Sequence, residues 1–377
     1  MAREYKNSGV KWIGEIPVGW NTSKLKYCIK VDSGDAITND YLSESGLYPV
    51  YGGGELMGYY PKYNTEEDSL IIGRVGARCG CVTFPTGKSW ASDNALIIKT
   101  NLFLKFAYYL LQGANLNRLN ISNAQPLITA TKIKNIYVPI MDIPEQKAIA
   151  DFLDAKCAEI DGLLADLDAE VKTLAEYKKS IIAETVTRGL NPTAPMKPSG
   201  IPWAETIPAH WKTAQLKRYV YVNSGREISK ELAADDPSAI PVYGSGGVFK
   251  YTNNFQFDGE AVLFGRKGTI GKPIYVNGKF WAVDTMYFLE HDKTALSPKF
   301  NYYLLWTLDW TPHTTSTALP SVVANEIVRC SFPIPPIDEQ RAIAAYLDEK
   351  CASIDQSISD KQTQAETLKA YKASLIY

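Results

Sequence analysis

Trp12-Ile13-Gly14-Glu15-Ile16-Pro17, followed by Trp20, returns late in the chain as Trp203-Ala204-Glu205-Thr206-Ile207-Pro208, followed by Trp211. Working outward, Pro49-Val50-Tyr51-Gly52 returns as Pro241-Val242-Tyr243-Gly244, and Gly73-Arg74-Val75-Gly76 returns as Gly265-Arg266-Lys267-Gly268. Glu145-Gln146-Lys147-Ala148-Ile149-Ala150 returns as Glu339-Gln340-Arg341-Ala342-Ile343-Ala344. The offset moves only in small steps, from 191 to 192, back to 191 at Trp90/Trp281, and to 194 from Lys105/Lys299 onward. Small steps in a long offset mean one domain written twice with different loop lengths. The period is too long for a solenoid unit. A duplicated binding domain implies a ligand with two similar halves.

Each copy has a globular part and a helical part. The globular parts, about residues 12–143 and 203–337, are rich in Gly, Tyr, Trp and β-branched residues. Short apolar runs such as Ser69–Ile72 and Ala261–Phe264 lie between glycine-rich turns and predict strands of a mixed α/β domain. Lys105–Leu111 and Lys299–Leu305 predict one short amphipathic helix per copy.

From Pro144 to Gly189 there is no internal proline, and Gly162 is the lone interior glycine. Leu153, Ile160, Leu167, Leu174 and Ile181 form one heptad row; Ala150, Cys157, Leu164, Val171 and Lys178 form the other. The second copy gives Leu347, Ile354, Lys361, Leu368, Leu375 and Ala344, Cys351, Ile358, Ala365, Lys372. Apolar residues on both rows predict a coiled-coil seam with polar interruptions. Some 40 residues of helix would run about 60 Å. The two long helices are natural antiparallel partners; the competing arrangement folds each helix onto its own domain. The expected fold is α+β: two mixed α/β domains in pseudo-twofold arrangement, separated by two long helices forming an antiparallel coiled coil. The expected segments are 1–143, 144–190, 191–337 and 338–377. Asn191–Gly200 reads as a linker, and Ser374–Tyr377 aligns with Ser180–Ala183 with no counterpart of Arg188-Gly189-Leu190, so the second helix is expected to be either naturally short or truncated.

Net charge over the 377 residues is −1, but it is unevenly spread: +3 over 1–143, −4 over 144–190, +2 over 191–337 and −2 over 338–377. Mildly basic heads and acidic helices fit domains that face an anion and spacers that do not. No apolar stretch is long enough to span a bilayer and no signal-type opening is present, so a cytoplasmic location is expected. Six cysteines without an even framework fit a reducing compartment. Cys79-x-Cys81 lacks a second ligand pair, so buried thiols are expected rather than a metal site.

Catalytic patterns are missing. Thr86-Gly87-Lys88-Ser89 resembles the end of a phosphate-binding loop, but Val82 stands where that loop needs glycine. None of the three histidines, His210, His291 and His313, occurs in both copies. Asp93 and Asp284 recur, and a lone Asp per copy reads as a turn residue. Binding is therefore favoured over catalysis.

Three loops are candidates for that binding. In Gly-Arg-x-Gly the glycines permit close backbone approach, and Arg74 or Arg266 offers a planar donor fork for guanine or phosphate. Arg78 and Lys88, and Lys267 and Lys272, lie nearby in sequence. The alternative is a structural turn whose arginine pairs with Asp93 or Asp284. Ser122-Asn123-Ala124-Gln125-Pro126 and Ser316-Thr317-Ala318-Leu319-Pro320 form the second pair; Asn and Gln read adenine, and Leu319 replaces Gln125. Tyr51-Gly52-Gly53-Gly54 and Tyr243-Gly244-Ser245-Gly246-Gly247 form the third, where backbone N–H groups could meet a phosphate or the glycines could simply form a bulge.

The order Trp-x-x-x-Ile-Pro-x-x-Trp, Tyr-Gly-x-Gly, Gly-Arg-x-Gly, Pro-Ile-Pro-Pro-Ile-Asp-Glu-Gln-Arg-Ala-Ile-Ala and Leu-Asp-x-Lys-Cys-x-x-Ile-Asp resembles the specificity subunit of a type I restriction–modification system, over nearly the whole chain. The resemblance implies a non-catalytic subunit with two target recognition domains, each reading half of a bipartite site in double-stranded DNA. It implies spacer helices that dock two modification subunits, which bring S-adenosylmethionine and methylate adenine, and restriction subunits that can join. It implies no cofactor or metal in this chain. A shorter second helix would weaken the docking of one modification subunit. Two alternatives stand beside it: the recognition part of a nuclease–methyltransferase, and a scaffold that binds no DNA.

Overall fold

The structure is a computed structural model that describes residues 3–120, 126–315 and 320–377. It divides into two compact units, 1–167 with 363–377, and 168–362. Both boundaries fall inside long helices, so each unit holds one globular copy and a stretch of each helix.

In unit 1, Ile29–Ser33, Ala95–Thr100, Ser69–Gly73 and Val82–Thr83 form an antiparallel four-stranded sheet in that order. A second sheet orders Glu55–Tyr60, Tyr48–Gly52 and Trp90–Ala91, with the last pair parallel. Unit 2 merges these into one six-stranded sheet: Val220–Ser224, Met286–His291, Phe257–Gly265, Ile274–Ala282, Ile240–Gly244, Gly247–Thr252. Ile274–Ala282 is continuous and pairs on both sides. Its counterpart in unit 1 is interrupted at Pro85-Thr86-Gly87, where proline offers no N–H to a ladder.

Helix α1 (Leu104–Gly113) packs on the sheet of unit 1 with the short α2 (Ala130–Lys134). The long α3 (Ile143–Arg188) follows. In unit 2, α4 (Pro298–Trp306) and α5 (Ala324–Arg329) repeat the first two, and α6 (Ile337–Ile376) repeats the third. Pro144 sits in the first turn of α3, where its missing N–H costs nothing. Gly189 ends α3 at φ +73°, its N–H donating to the Thr185 carbonyl at 3.0 Å, the left-handed stop that glycine allows.

The expected linker is partly wrong. Met196–Ile201 is a strand paired with Ala204–Pro208, just as Tyr5–Asn7 pairs with Glu15–Pro17. Gly9 and Gly200 have matching φ values, +73° and +72°. The proline and glycine that read as linker belong instead to an irregular hairpin opening each copy.

One motif joins each globular part to its helix. The Trp20 indole donates to Glu145 at 2.7 Å, and Trp211 to Glu339 at 3.0 Å. The neighbouring Gln146 and Gln340 are buried. Gln146 accepts from the Phe103 N–H at 2.8 Å, ahead of α1, and donates to the Met141 carbonyl at 2.9 Å. Gln340 accepts from Ser297 at 2.9 Å and donates to the Ala295 and Pro335 carbonyls, both at 2.9 Å. Two turns further on, Asp154 receives Tyr109 at 2.7 Å and pairs with Lys105; Asp348 receives Tyr303 at 2.6 Å and pairs with Lys299 at 3.0 Å. Burial pushes the Asp154 carboxyl up, but the Lys105 and Tyr109 donors outweigh it and hold it below the usual range.

The helices also pair antiparallel in both units. In unit 1, Leu153 and Cys157 of α3 pack on Leu375 and Ile376 of α6. In unit 2, Ile182 and Val186 of α3 share a core with Ile343, Ala344, Leu347 and Cys351 of α6. The two arrangements weighed from the sequence therefore coexist: each helix starts on its own copy and pairs with the other helix. None of the heptad positions is exposed: Ala150, Leu153, Cys157, Ile160 and Ile181 are buried, as are Ala344, Leu347, Cys351 and Ile354, and the others are half-buried, among them Leu164, Leu167, Val171, Leu174, Ile358, Leu368 and Leu375.

The polar interruptions pair across this seam. Lys178 reaches both Asp355 oxygens at 2.8 and 2.6 Å, and Lys372 reaches both Asp161 oxygens at 2.7 Å. Lys361 pairs with Glu170.

His291 supplies a pH dependence that only copy two can have, since Thr100 pairs at the equivalent place in unit 1. Burial holds the ring neutral and lowers its pKa from 6.5 to about 4. Between those values the unfolded chain binds the extra proton, so stability is full above pH 6.5 and is lost as pH falls towards 4. Unit 2 should lose about 2 kcal/mol from this group between pH 7 and 5. Urea unfolding at the two pH values measures it, and His291→Gln should remove most of that difference.

Candidate nucleic-acid interface

Each Gly-Arg-x-Gly turn ends the central strand of its unit. In unit 1 the strand is Ser69–Gly73, fully buried and paired on both sides. The Arg74 N–H donates to the Asn94 carbonyl at 2.9 Å, and its carbonyl accepts from Ile128 at 2.9 Å. In unit 2, Arg266 donates to Thr285 at 2.8 Å and accepts from Val322 at 2.9 Å. Val75 bridges Leu127 and Lys267 bridges Ser321. Gly76 and Gly268 share φ +81°. The two turns have one backbone construction, anchored at three equivalent points and closed by a glycine of the same φ.

The glycine loop after Tyr51 meets this turn. A Cβ added at Gly73 would lie 2.6 Å from the Gly53 carbonyl carbon and oxygen, so only glycine lets the two loops touch. In unit 2, Ser245 replaces Gly53 and its hydroxyl accepts from the Thr269 N–H at 3.2 Å. Gly76 also donates to the Pro126 carbonyl at 3.2 Å, which brings the end of the second candidate loop to the same place. Asn123, Gln125, Thr317 and Leu319 lie outside the described residues, but the flanking Pro126–Ile128 and Ser321–Val322 bind directly to the turns.

The arginines are not tied to the carboxylates considered from the sequence. Among the described residues neither Arg74 nor Arg266 forms an ion pair; Arg266 lies over the Tyr287 ring at 5.9 Å. Asp93 and Asp284 are exposed in turns. Arg74 is half-buried and Arg266 exposed, so both guanidinium groups remain available. Lys267 and Lys272 are exposed too.

Other candidates are placed differently. Lys88 donates to the Tyr63 hydroxyl at 2.9 Å, pairs with Glu66 at 3.4 Å and stacks on the Tyr63 ring, so its charge is committed to the 61–68 loop. Arg78 stands beside the glycine loop and pairs with Glu55 at 3.5 Å on the surface. The rings of Tyr51 and Tyr243 pack on the strand core, against Ile71 and Ala91 and against Phe280, and burial raises both phenol pKa values. Their carbonyls accept from the Ser92 and Val283 N–H groups at 2.8 and 3.1 Å. Of the two CxC thiols only Cys79 is buried, with its sulfur on the Arg74 carbonyl at 3.1 Å; Cys81 is exposed, contrary to expectation.

Sequence reasoning missed Asn64 and Gln256, whose side-chain oxygens accept from the Ala91 and Ala282 N–H groups at 2.7 and 3.0 Å. It also missed Trp90 and Trp281, whose indoles donate to the Asp35 and Arg226 carbonyls at 3.3 and 2.7 Å. The recurrence of Trp-Ala before each Asp was the available signal.

The family model for the type I restriction modification DNA specificity domain matches residues 17–173 and again 208–366. The type I restriction enzyme EcoprrI specificity subunit of Escherichia coli is 31% identical over 113 residues, which cover 29% of this chain and 28% of that protein. The type I restriction enzyme MjaVIII specificity subunit of Methanocaldococcus jannaschii is 23% identical over 377 aligned residues, covering 85% of each. A chain solved for the complex assembly and conformational transition of the type I R-M system shares the fold, with TM-score 0.72, 14% identity and 96% and 97% of the two chains covered. Matched once in each copy and over more than half its length, this chain belongs to the type I restriction–modification specificity subunits, the component that serves DNA target recognition in those complexes.

Proposed function

We propose that each globular copy reads one half of a bipartite target in double-stranded DNA, and that the paired helices dock two modification subunits. Those subunits bring S-adenosylmethionine and methylate adenine; restriction subunits then join the assembly. This chain holds the target and performs no chemistry itself. Among the described residues no helix is long and apolar enough to cross a membrane, and we place the complex in the cytoplasm, with the DNA.

The observation that carries this reading is the turn built twice. Its backbone anchors are equivalent in both copies, its arginines have no carboxylate partner among the described residues, and the side chains around it differ. An arginine fork on a fixed backbone suits base-edge or phosphate recognition, and different neighbours suit unlike half-sites.

Methylome sequencing tests it: cells expressing this chain with a cognate modification subunit should gain a split methyladenine motif that cells without the chain lack. Arg74→Ala and Arg266→Ala should each weaken one half-site only, by about 1–3 kcal/mol if the contact is bidentate to a base. Unchanged preference in both variants would remove the turn from recognition. Leu167→Glu places a charge in the seam and should abolish co-purification of modification subunits while each head keeps its own fold; full assembly by that variant would contradict helix docking.

A further inference from the structure

In unit 2 the edge strand Val220–Ser224 and the central strand Phe257–Gly265 run parallel on either side of Met286–His291. Both end where that strand begins, since Ser224 pairs with Tyr287 and Gly265 with Met286. Arg226 and Arg266 therefore stand at one end of the sheet, each just past a strand. Their N–H groups hold the two arms of one turn: Arg226 donates to the Ala282 carbonyl at 2.9 Å and Arg266 to Thr285 at 2.8 Å. Gly225 lets the first arm approach, for an added Cβ there would lie 1.9 Å from the Val283 carbonyl oxygen.

Unit 1 builds the same corner with the opposite charge. Ser33 pairs with Leu96 and Gly73 with Ala95, and the Asp35 N–H donates to the Ala91 carbonyl at 3.0 Å. The Asp35 carboxylate accepts from the Asn64 amide at 2.8 Å, so an internal anion fills this place. In unit 2, Gln256 accepts from the Ala282 N–H as Asn64 does from Ala91, but its buried amide nitrogen has no acceptor among the described residues. Arg226 is exposed and forms no ion pair among the described residues, with Glu227 beside it included. Copy two thus gathers donors here and supplies no anion to meet them.

We propose that Arg226 binds a backbone phosphate in the DNA half-site held by copy two, an anchor that copy one lacks because Asp35 stands in its place. The proposal rests on the reading that each copy holds one half-site. Arg266 ends a central strand and Arg226 an edge strand two positions away, a separation of about 10 Å at ordinary strand spacing. That is comparable with the major groove, about 12 Å wide, so an arginine over base edges leaves its companion at the phosphate rim. An exposed guanidinium on a main-chain frame is ready for such a contact, and the frame does not depend on the side chain.

The test uses the full chain in complex with its modification subunits, and duplexes carrying the split motif read from the methylome. Arg226→Gln should make the plot of log affinity against log salt shallower by about 0.9, the loss of one phosphate contact. Arg226→Lys should restore the parent slope, since a point charge suffices for a phosphate. All three complexes should methylate the same bases and unfold at the same temperature. One uncharged methylphosphonate, in one half-site, should weaken the parent complex and leave the Gln variant unaffected. A parent slope in the Gln variant overturns the assignment. A relaxed base preference that Lys fails to restore overturns it as well, by making Arg226 a base-reading fork. A parent complex that binds no split-motif duplex sinks the half-site reading itself, whereas a binding parent with an indistinguishable Gln variant sinks the Arg226 contact alone.

Discussion

The contact on which each half of this protein depends is the hydrogen bond from an indole near the start of a globular copy to a glutamate at the head of its long helix. Trp20 and Glu145 are far apart in sequence, as are Trp211 and Glu339, and each pair ties the two ends of a domain together. Arg3 adds a pair to Glu145 and, with Trp20 contributing less, holds that carboxyl below its usual value. The adjoining glutamine fixes the rest. A buried amide must satisfy both its ends, and Gln146 and Gln340 do so by bonding the backbone just ahead of the short helix and the backbone just ahead of the long one. Three elements thus share one side chain, and losing it would leave buried backbone groups unpaired, a larger penalty than the bond itself contributes.

The helices solve a different problem. A seam of Leu, Ile and Ala would accept several registers, and half-buried lysines remove that freedom. Lys178 meets Asp355 in unit 2, and Lys372 meets Asp161 in unit 1; these four residues are two copies of one pair with the partners exchanged. A one-heptad slip one way would set Gln362 against Lys178; the other way it would set the ammonium groups against Asp348 and Asp154, which Tyr303 with Lys299 and Tyr109 with Lys105 already hold. Such polar seam positions specify register at some cost in stability. The carboxylate of each pair lies in the recurring Ile-Asp, and Asp154 and Asp348 of the preceding Leu-Asp bind the domain instead. One short motif therefore serves both packings.

Much of this was legible because it is periodic or repeated. The duplication, the heptads and the short helices rest on residue types at regular spacing, and spacing survives in a single sequence. The Glu-Gln motif was visible, but its role was not, since its tryptophan partner is a tertiary neighbour. The hairpins were misread because the Pro-Ser-Gly of 198–200 satisfies a turn inside a strand pair as readily as a linker. Lys88 was chosen for its charge and its place in sequence, and neither reveals that Tyr63 and Glu66 already hold it. The freedom of Arg74 and Arg266 was equally hidden, because it depends on which way Asp93 and Asp284 face.

The comparison of the two copies separates frame from readout at the level of single atoms. Asn64 and Gln256 both accept from the strand after the recurring tryptophan, so the oxygen end of the amide belongs to the frame. The nitrogen end differs. Asn64 donates to the Asp35 carboxylate at 2.8 Å, whereas copy two has Arg226 at that place and the Gln256 amide nitrogen has no partner among the described residues. Arg226 keeps the backbone role, accepting the Trp281 indole as Asp35 accepts Trp90, while its side chain reverses the charge. A frame carried by main-chain bonds tolerates such a reversal because none of its anchors depends on the side chain. That is the physical condition for a duplicated domain to acquire two unlike binding faces without losing either fold.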